Sequence, residues 1–408
     1  MAMLDIEYVR GQFPAFDEPS LKGQAFFENA GGSYTCRPVI ERLTRFYHAR
    51  KVQPYAPYEA SRLGGAEMDE ARARLAGLLG VGEDELSFGP STTANTYVLA
   101  RAFAGFMEKG EAIIVTNQDH EANSGPWRRL AEEGFEIREW KMNPETGHLD
   151  PDDLDDLLDE KVRLVCFPHC SNVVGEENPV VEITARAHAA GAFVCVDGVS
   201  YAPHGFCNVG MMGPDIYLFS AYKTYGPHQG IMVMRRELAR QLPNQAHYFN
   251  AESLTKKFTP AGPDHAQIAA CAGMADYIDA LAEHHGIAGD AASRCDGVHQ
   301  LMRDHEAALL QPLLDGVKGR NAVRLLGPDQ AERRAPTVAL ALSHMKGEAA
   351  AEQLAARGIM AGGGDFYAVR ALEALGIDPG HGVLRLSFVH YTSRDEVDAL
   401  LNALDDIL

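Results

Sequence analysis

FVCVDGVSYAPHG (193–205) and, a little further on, SAYKTYGPHQG (220–230) are the two stretches that decide the fold of this chain. In the first, an apolar run ends in Asp197; the second follows the apolar run DIYLF and presents Ser220 and Lys223 as Ser-x-x-Lys. Short, nearly continuous apolar runs are how strands buried on both faces read. Open α/β sheets hold ligands at the carboxyl ends of such strands. A lysine and an aspartate delivered there together suit pyridoxal phosphate chemistry. The lysine amine forms a Schiff base with the cofactor aldehyde. The aspartate holds the pyridine nitrogen protonated, so that the ring accepts electrons from a substrate carbanion.

Working outward, EAIIVTN (111–117), VRLVCFPH (162–169), AFVCVDG (192–198), DIYLFSA (215–221) and GIMVMRR (230–236) read as strands. Helix-like stretches such as SGPWRRLAEEG (124–134) and EITARAHAAG (182–191) lie between them, the second stopped by Gly191. This alternation predicts a mostly parallel sheet, of about seven strands, with helices on both faces. After about residue 275 the pattern changes. ADYIDALAEHH and GVHQLMRDHEAALLQPLLDGV read as helices, as do the amphipathic GEAAAEQLAARG and SRDEVDALLNALDDIL. TVALALSHM and GVLRLSFVHY read as alternating strands with one wet face. The expected organisation is an α/β large domain over 25–275, a smaller α+β domain over 276–408, and an N-terminal segment, 1–24, packing with the small domain.

The bulk numbers exclude several classes. With 408 residues the chain is long for one core. Its net charge of −20 disfavours nucleic acid or an anionic membrane as partner. The acidic run PDDLDDLLDE (151–160) reads as a solvated helix face. Seven cysteines are scattered without a CxxC pair, and several stand in apolar runs. They read as reduced, buried thiols. No second ligand pair joins Cys166, His169 and Cys170 to make a metal site. The N-terminal MAMLDIEYVRGQF lacks an apolar core, and no run of about 18 apolar residues occurs elsewhere, so the cytoplasm is the expected compartment.

Seven strings now add up in order: FFENAGGS (26–33), STTANTYVLA (91–100), DHEAN (119–123), SNVVGEENPV (171–180), VDGVSYAPH (196–204), SAYKTYGP (220–227) and LRLSFVHY (384–391). Together they resemble the class V aminotransferase fold family of fold-type I pyridoxal phosphate enzymes, nearest to its cysteine desulfurase-like branch, over about residues 20–400. The resemblance implies a role for each site residue. Thr92 and Thr93 open a helix and hold the cofactor phosphate, with Ser220 as a further phosphate contact. His120 stacks on the cofactor ring and is placed to move protons at the substrate α-carbon. Asn172 lies near the cofactor hydroxyl and the substrate carboxylate, and Asp197 and Lys223 act as above. His204 is either a support of the pocket or a structural histidine. Arg385 projects from the strand face opposite Leu384, Leu386 and Phe388 and grips the substrate carboxylate as a two-pronged pair. Ala30 and Gly31 border the substrate.

Four departures from the family pattern matter. Tyr367, in GIMAGGGDFYAVRAL (358–372), stands where the desulfurases carry their catalytic cysteine, and no cysteine follows Cys295. The run Gly362-Gly363-Gly364 before it suggests a mobile loop that lets the Tyr367 hydroxyl, a candidate catalytic group, close over the substrate side chain; the alternative is a tyrosine packing at the mouth of the site. Tyr222 replaces the histidine before the lysine, and Ser200 replaces a glutamine near the cofactor hydroxyl. Pro263, in FTPAGPDHAQ, replaces the threonine by which a partner subunit reaches the phosphate; a homodimer is still expected. The favoured activity is removal of a β-substituent from an amino acid, of the carbon–sulfur lyase type, without a persulfide on the enzyme. The alternatives are transamination to a keto acid, epimerisation, or a non-catalytic binding protein.

Overall fold

The strands, in chain order, are β1 (Ala25–Phe26), β2 (Leu86–Gly89), β3 (Ala112–Thr116), β4 (Glu136–Trp140), β5 (Val162–Pro168), β6 (Phe193–Asp197), β7 (Ile216–Ser220), β8 (Gly230–Met234), β9 (Val323–Leu326), β10 (Thr337–Leu342), β11 (Ile359–Met360), β12 (Gly362–Gly364) and β13 (Val383–Ser387). The apolar runs 112–116, 162–168, 193–197, 216–220 and 230–234 thus appear as predicted, each buried along nearly its whole length. They join β2 and β4 in a seven-stranded sheet of order β2-β8-β7-β6-β5-β3-β4. All neighbours are parallel except those of β8, which runs against both β2 and β7. The sequence reading passed over β4, whose run EIREW is charged because it lies at the sheet edge and is mostly accessible. The computed structural model describes residues 3–320 and 322–408.

A second sheet, β12-β13-β10-β9, is antiparallel throughout. Its two central strands do not have the wet face that alternation suggested. In β10, Val338 and Leu340 face one hydrophobic core, while Ala339 faces the other. In β13, Leu384 and Leu386 face the smaller core and Val383 the larger. The intervening small and polar residues are covered by the large domain, so every residue of β13 is buried.

The expected domain limits also shift. The boundary at 275/276 falls inside the helix Ala272–His284, whose Tyr277, Ile278 and Leu281 belong to the larger core. The long helix Ala291–Val317 gives Cys295, Val298 and Met302 to the larger core and Leu309, Leu310, Leu313 and Leu314 to the smaller. We place the division within this helix. The N-terminal segment, of which residues 1 and 2 lie outside the described residues, touches both halves. Val9 and Phe13 are buried in the larger core, and Arg10 pairs with Glu396 of the last helix at 2.7 Å.

Candidate active site

Strands β6 and β7 are parallel neighbours, so Asp197 and Ser220 end at the same edge of the large sheet. Lys223 follows one 3₁₀ turn later. Behind them starts the helix Thr92–Phe106, capped by Ser91, whose hydroxyl accepts the Ala94 N–H at 3.1 Å. The Thr92 and Ser220 hydroxyls are 2.8 Å apart. Gly230 permits this crowding, because a Cβ there would stand 2.8 Å from the Thr92 nitrogen. Hydroxyls and unpaired first-turn N–H groups therefore converge at the positive end of a helix dipole, which is a seat for an anion such as a phosphate.

These groups line an inner cleft together with Thr93, His120, Asn172, Ser200, Tyr222 and Lys223. Asp197 is buried, and its Oδ1 accepts the Val199 N–H at 2.8 Å. Burial pushes its carboxyl up to about 6, against the pull of that N–H and of the Lys223 charge. The half-buried Lys223 moves the other way, down to about 8, through burial and the nearby Arg385 charge. His120 caps the helix Glu121–Arg128. Its Nδ1 accepts the Ala122 N–H at 3.0 Å, which leaves the proton of the neutral ring on Nε2. Burial, with Lys223 and Arg385 close by, lowers its pKa to about 3, so the ring is uncharged at neutral pH. Asn172 donates from Nδ2 to the Phe366 carbonyl at 3.0 Å, and its Oδ1 is buried without a partner. Tyr222 stacks on His228 with ring centroids 4.9 Å apart. His204 is not part of the cleft wall; its Nδ1 meets the Glu306 carboxylate at 3.0 Å in the interior.

The cleft opens past Lys223 into an outer chamber of about 500 Å³. Ala30, Gly31, Tyr367 and Arg385 line it, as expected, along with Glu28, Tyr97, Arg129 and Phe366. Arg385 is 3% exposed. Its Nη2 pairs with Glu28 Oε1 at 2.7 Å, its Nη1 donates to the Asn172 carbonyl at 3.3 Å, and Phe366 covers the guanidinium face at 3.7 Å. The triple glycine is not a hinge. It forms β12, paired with β13 so that Gly362 lies opposite Arg385. A Cβ on Gly363 would come within 2.3 Å of the Gly347 carbonyl, so close packing explains the glycine. Phe366 and Tyr367 both adopt left-handed backbone (φ 54° and 56°), an unusual state for large side chains. The turn is held by the Asp365 carboxylate, which accepts the Tyr367 N–H at 2.8 Å, and by the Tyr367 carbonyl, which accepts the Glu121 N–H at 2.8 Å. Tyr367 stands 72% exposed, 5.5 Å from the His120 ring.

The structure thus gathers the anticipated cofactor and substrate residues around Lys223, whereas His204 lies apart in the interior and Pro263 lines a separate recess. Glu28, Phe366 and Cys170 were missed. Glu28 stood in the FFENAGGS string, but nothing local says that it meets an arginine 357 residues away. Cys170 lines the inner cleft while only 2% exposed.

The groups present fit pyridoxal phosphate. The helix start and its hydroxyls offer the phosphate seat. The buried, once-bonded Asp197 carboxylate lacks a cationic partner of the kind a protonated pyridine supplies, and the orphaned Asn172 Oδ1 needs a donor such as the ring hydroxyl.

Comparison with known proteins agrees. Residues 25–400 match the family described as aminotransferase class-V, and the chain belongs to that family. It is 32% identical to the aminotransferase-like protein FGM3 of Gibberella zeae, over 99% of this chain and 98% of the relative. It is 29% identical to a cysteine desulfurase of Serratia proteamaculans, over 98% of both chains. Among solved structures, the apo cysteine desulfurase of Thermococcus onnurineus NA1 superposes with a TM-score of 0.85 at 22% identity, covering 100% of this chain and 98% of that one. The fold is therefore that of a fold-type I enzyme, and the protein is a pyridoxal phosphate-dependent enzyme of the class V, cysteine desulfurase-like group.

Proposed function

We propose that the protein removes a β-substituent from an α-amino acid, in the manner of a carbon–sulfur lyase, without forming a persulfide on itself. The observation that carries this reading is the outer chamber. By the resemblance of GIMAGGGDFYAVRAL to the desulfurase loop, Tyr367 stands where the desulfurase cysteine is expected, and among the described residues no cysteine lines the chamber. Cys170, in the inner cleft, donates its thiol proton to the Gly175 carbonyl (Sγ···O 3.3 Å), and burial holds its pKa far above the ordinary thiol value. Such a thiol is a poor nucleophile.

In this reading Arg385 receives the substrate carboxylate and fixes the α-carbon over the inner cleft. Lys223, with a pKa near 8, is suited both to take the α-proton and to give it back near neutral pH. His120 remains neutral and serves as a flat face that restrains the ring rather than as the main proton carrier. Asp197 holds a negative charge against the pyridine nitrogen. The cofactor, so held, supplies the electron sink for a carbanion at the α-carbon. Tyr367 stands where the substrate side chain would leave. Transamination is the second reading, favoured by the printed description of the Gibberella relative as aminotransferase-like.

We further infer a homodimer. Tyr55, Tyr248 and Phe249 are 56%, 87% and 69% exposed, and Tyr55, Phe249 and Pro263 line one apolar recess. Exposed aromatics around a recess are characteristic of protein interfaces. Among the described residues no helix is long and apolar enough to cross a membrane; a cytoplasmic setting is part of the proposal.

The test is product analysis of the holoenzyme with cysteine and related β-substituted amino acids. Elimination predicts pyruvate and ammonia alongside the leaving group, with activity surviving thiol alkylation under cofactor-retaining conditions. A persulfide on any of the seven cysteines, with alanine released in equal amount, overturns it. A keto acid made only when a second keto acid is supplied establishes transamination instead.

A further inference from the structure

The carboxylate seat at Arg385 is already filled by a carboxylate of the chain itself. Glu28 Oε1 lies 2.7 Å from Arg385 Nη2, in the wall of the outer chamber. The backbone that carries Glu28 is fixed: Phe27 donates to the Met360 carbonyl, and Asn29 donates to the Ser387 carbonyl at the end of β13. Only the side chain is free to move. The Glu28 side chain is 27% exposed and that of Arg385 4%, so both line the chamber and the acid is the more accessible of the two.

The carboxylate rests against two glycines. A Cβ on Gly31 would come within 2.8 Å of Glu28 Oε1, and a Cβ on Gly362 within 2.5 Å of Oε2. A side chain at either place would push the carboxylate aside. Its hydrogen bonding is incomplete all the same: Glu28 Oε2 is buried without a partner, and so is Arg385 Nε. A pair optimised only for stability would use both oxygens in a fork with the guanidinium. This pair uses one.

We propose that Glu28 is a built-in competitor for Arg385, which occupies the carboxylate seat in the resting enzyme, gives way to an incoming substrate carboxylate, and thereby sets how tightly the site takes an anionic substrate. One buried guanidinium, covered on its face by Phe366, does not neutralise two carboxylates, so binding is an exchange rather than an addition. The inference rests on the reading of Arg385 as the substrate-carboxylate site.

The experiment titrates holoenzyme with propionate, a carboxylate without an amino group, by calorimetry. Glu28→Gln keeps the shape of the seat and removes the charge, and it is expected to bind propionate about tenfold or more tighter than the native enzyme. Gly362→Ala, which crowds Glu28 off Arg385, is expected to tighten propionate in the same direction by a smaller factor. It also carries the comparison if Glu28→Gln does not fold. Unchanged or weaker propionate binding in these variants overturns the proposal and makes Glu28 a structural partner of Arg385. The double variant Glu28→Gln, Arg385→Gln separates the two readings. Loss of propionate binding there upholds the role of Arg385, whatever the single variants show. Retention refutes that role and the proposal with it.

Discussion

The inner cleft and the outer chamber share Lys223 but are assembled differently. The cleft takes its groups from the ends of adjacent parallel strands and the starts of two helices, all between residues 92 and 223. The chamber brings together Glu28, Phe366, Tyr367 and Arg385 from both ends of the chain, with Glu28 and Arg385 357 positions apart. The cleft is thus held by the sheet that forms the larger core. The chamber is held by the contact of the second sheet, the N-terminal segment and a strained turn. Rigid placement suits cofactor chemistry, where geometry must not vary. A seam between two packed units suits substrate recognition, where a side chain such as Glu28 has to move.

The contrast predicts that cleft variants lose chemistry and chamber variants lose selectivity. The largest effect belongs to Lys223. Borohydride reduction of the holoenzyme should leave the pyridoxyl label on the Lys223 peptide, and Lys223→Ala should lose roughly three orders of magnitude or more in kcat. A label on another lysine breaks the assignment of the cleft. Asp197→Ala should still take up cofactor, seen as visible absorbance, yet lose roughly 10²–10³-fold in kcat. Near-normal turnover would show that the ring nitrogen needs no anion here. For the chamber, Arg385→Ala should cost on the order of 2–4 kcal/mol in kcat/KM for amino acids while leaving cofactor content intact. If the loss is equally large for the corresponding amines without a carboxylate, Arg385 is structural.

A pH experiment sharpens the comparison from the cleft side. Lys223 has a pKa lowered to about 8, and only its neutral amine attacks an aldehyde. Below that value the neutral fraction grows with pH; above it the fraction is saturated. Apoenzyme should therefore take up the cofactor about tenfold faster on going from pH 7 to well above 8, then level off. A plateau reached only above pH 10 would mean that burial and Arg385 do not act on this amine. The smallest effect is expected at Tyr367. The side chain is 72% exposed and the turn is held through its backbone, so Tyr367→Phe should change kcat/KM by less than about threefold. A loss of 100-fold would give its hydroxyl a direct part in releasing the leaving group.

How much of this was legible in the sequence depended on distance along the chain. The large sheet was readable because its strands are buried on both faces and so are apolar throughout; only the charged edge strand Glu136–Trp140 escaped. Alternation misled at Thr337–Leu342 and Val383–Ser387, since it reports two different environments and does not say that one of them is water. Here the second environment is the core of the other domain. The triple glycine suggested motion, whereas it serves close packing against the Gly347 backbone. Glycine permits either, and only neighbours in space distinguish them.

By itself the sequence determined the fold class and the cofactor and pointed to the groups proposed to hold it, because strand ends and helix starts are local features with fixed side-chain types. Tertiary structure alone decided that Glu28 occupies Arg385, that Cys170 is walled into the inner cleft, and that Tyr367 is held beside His120. Each of these is a meeting of segments remote in the chain, and their energies depend on burial and charge proximity, which arise only when the two cores close on one another.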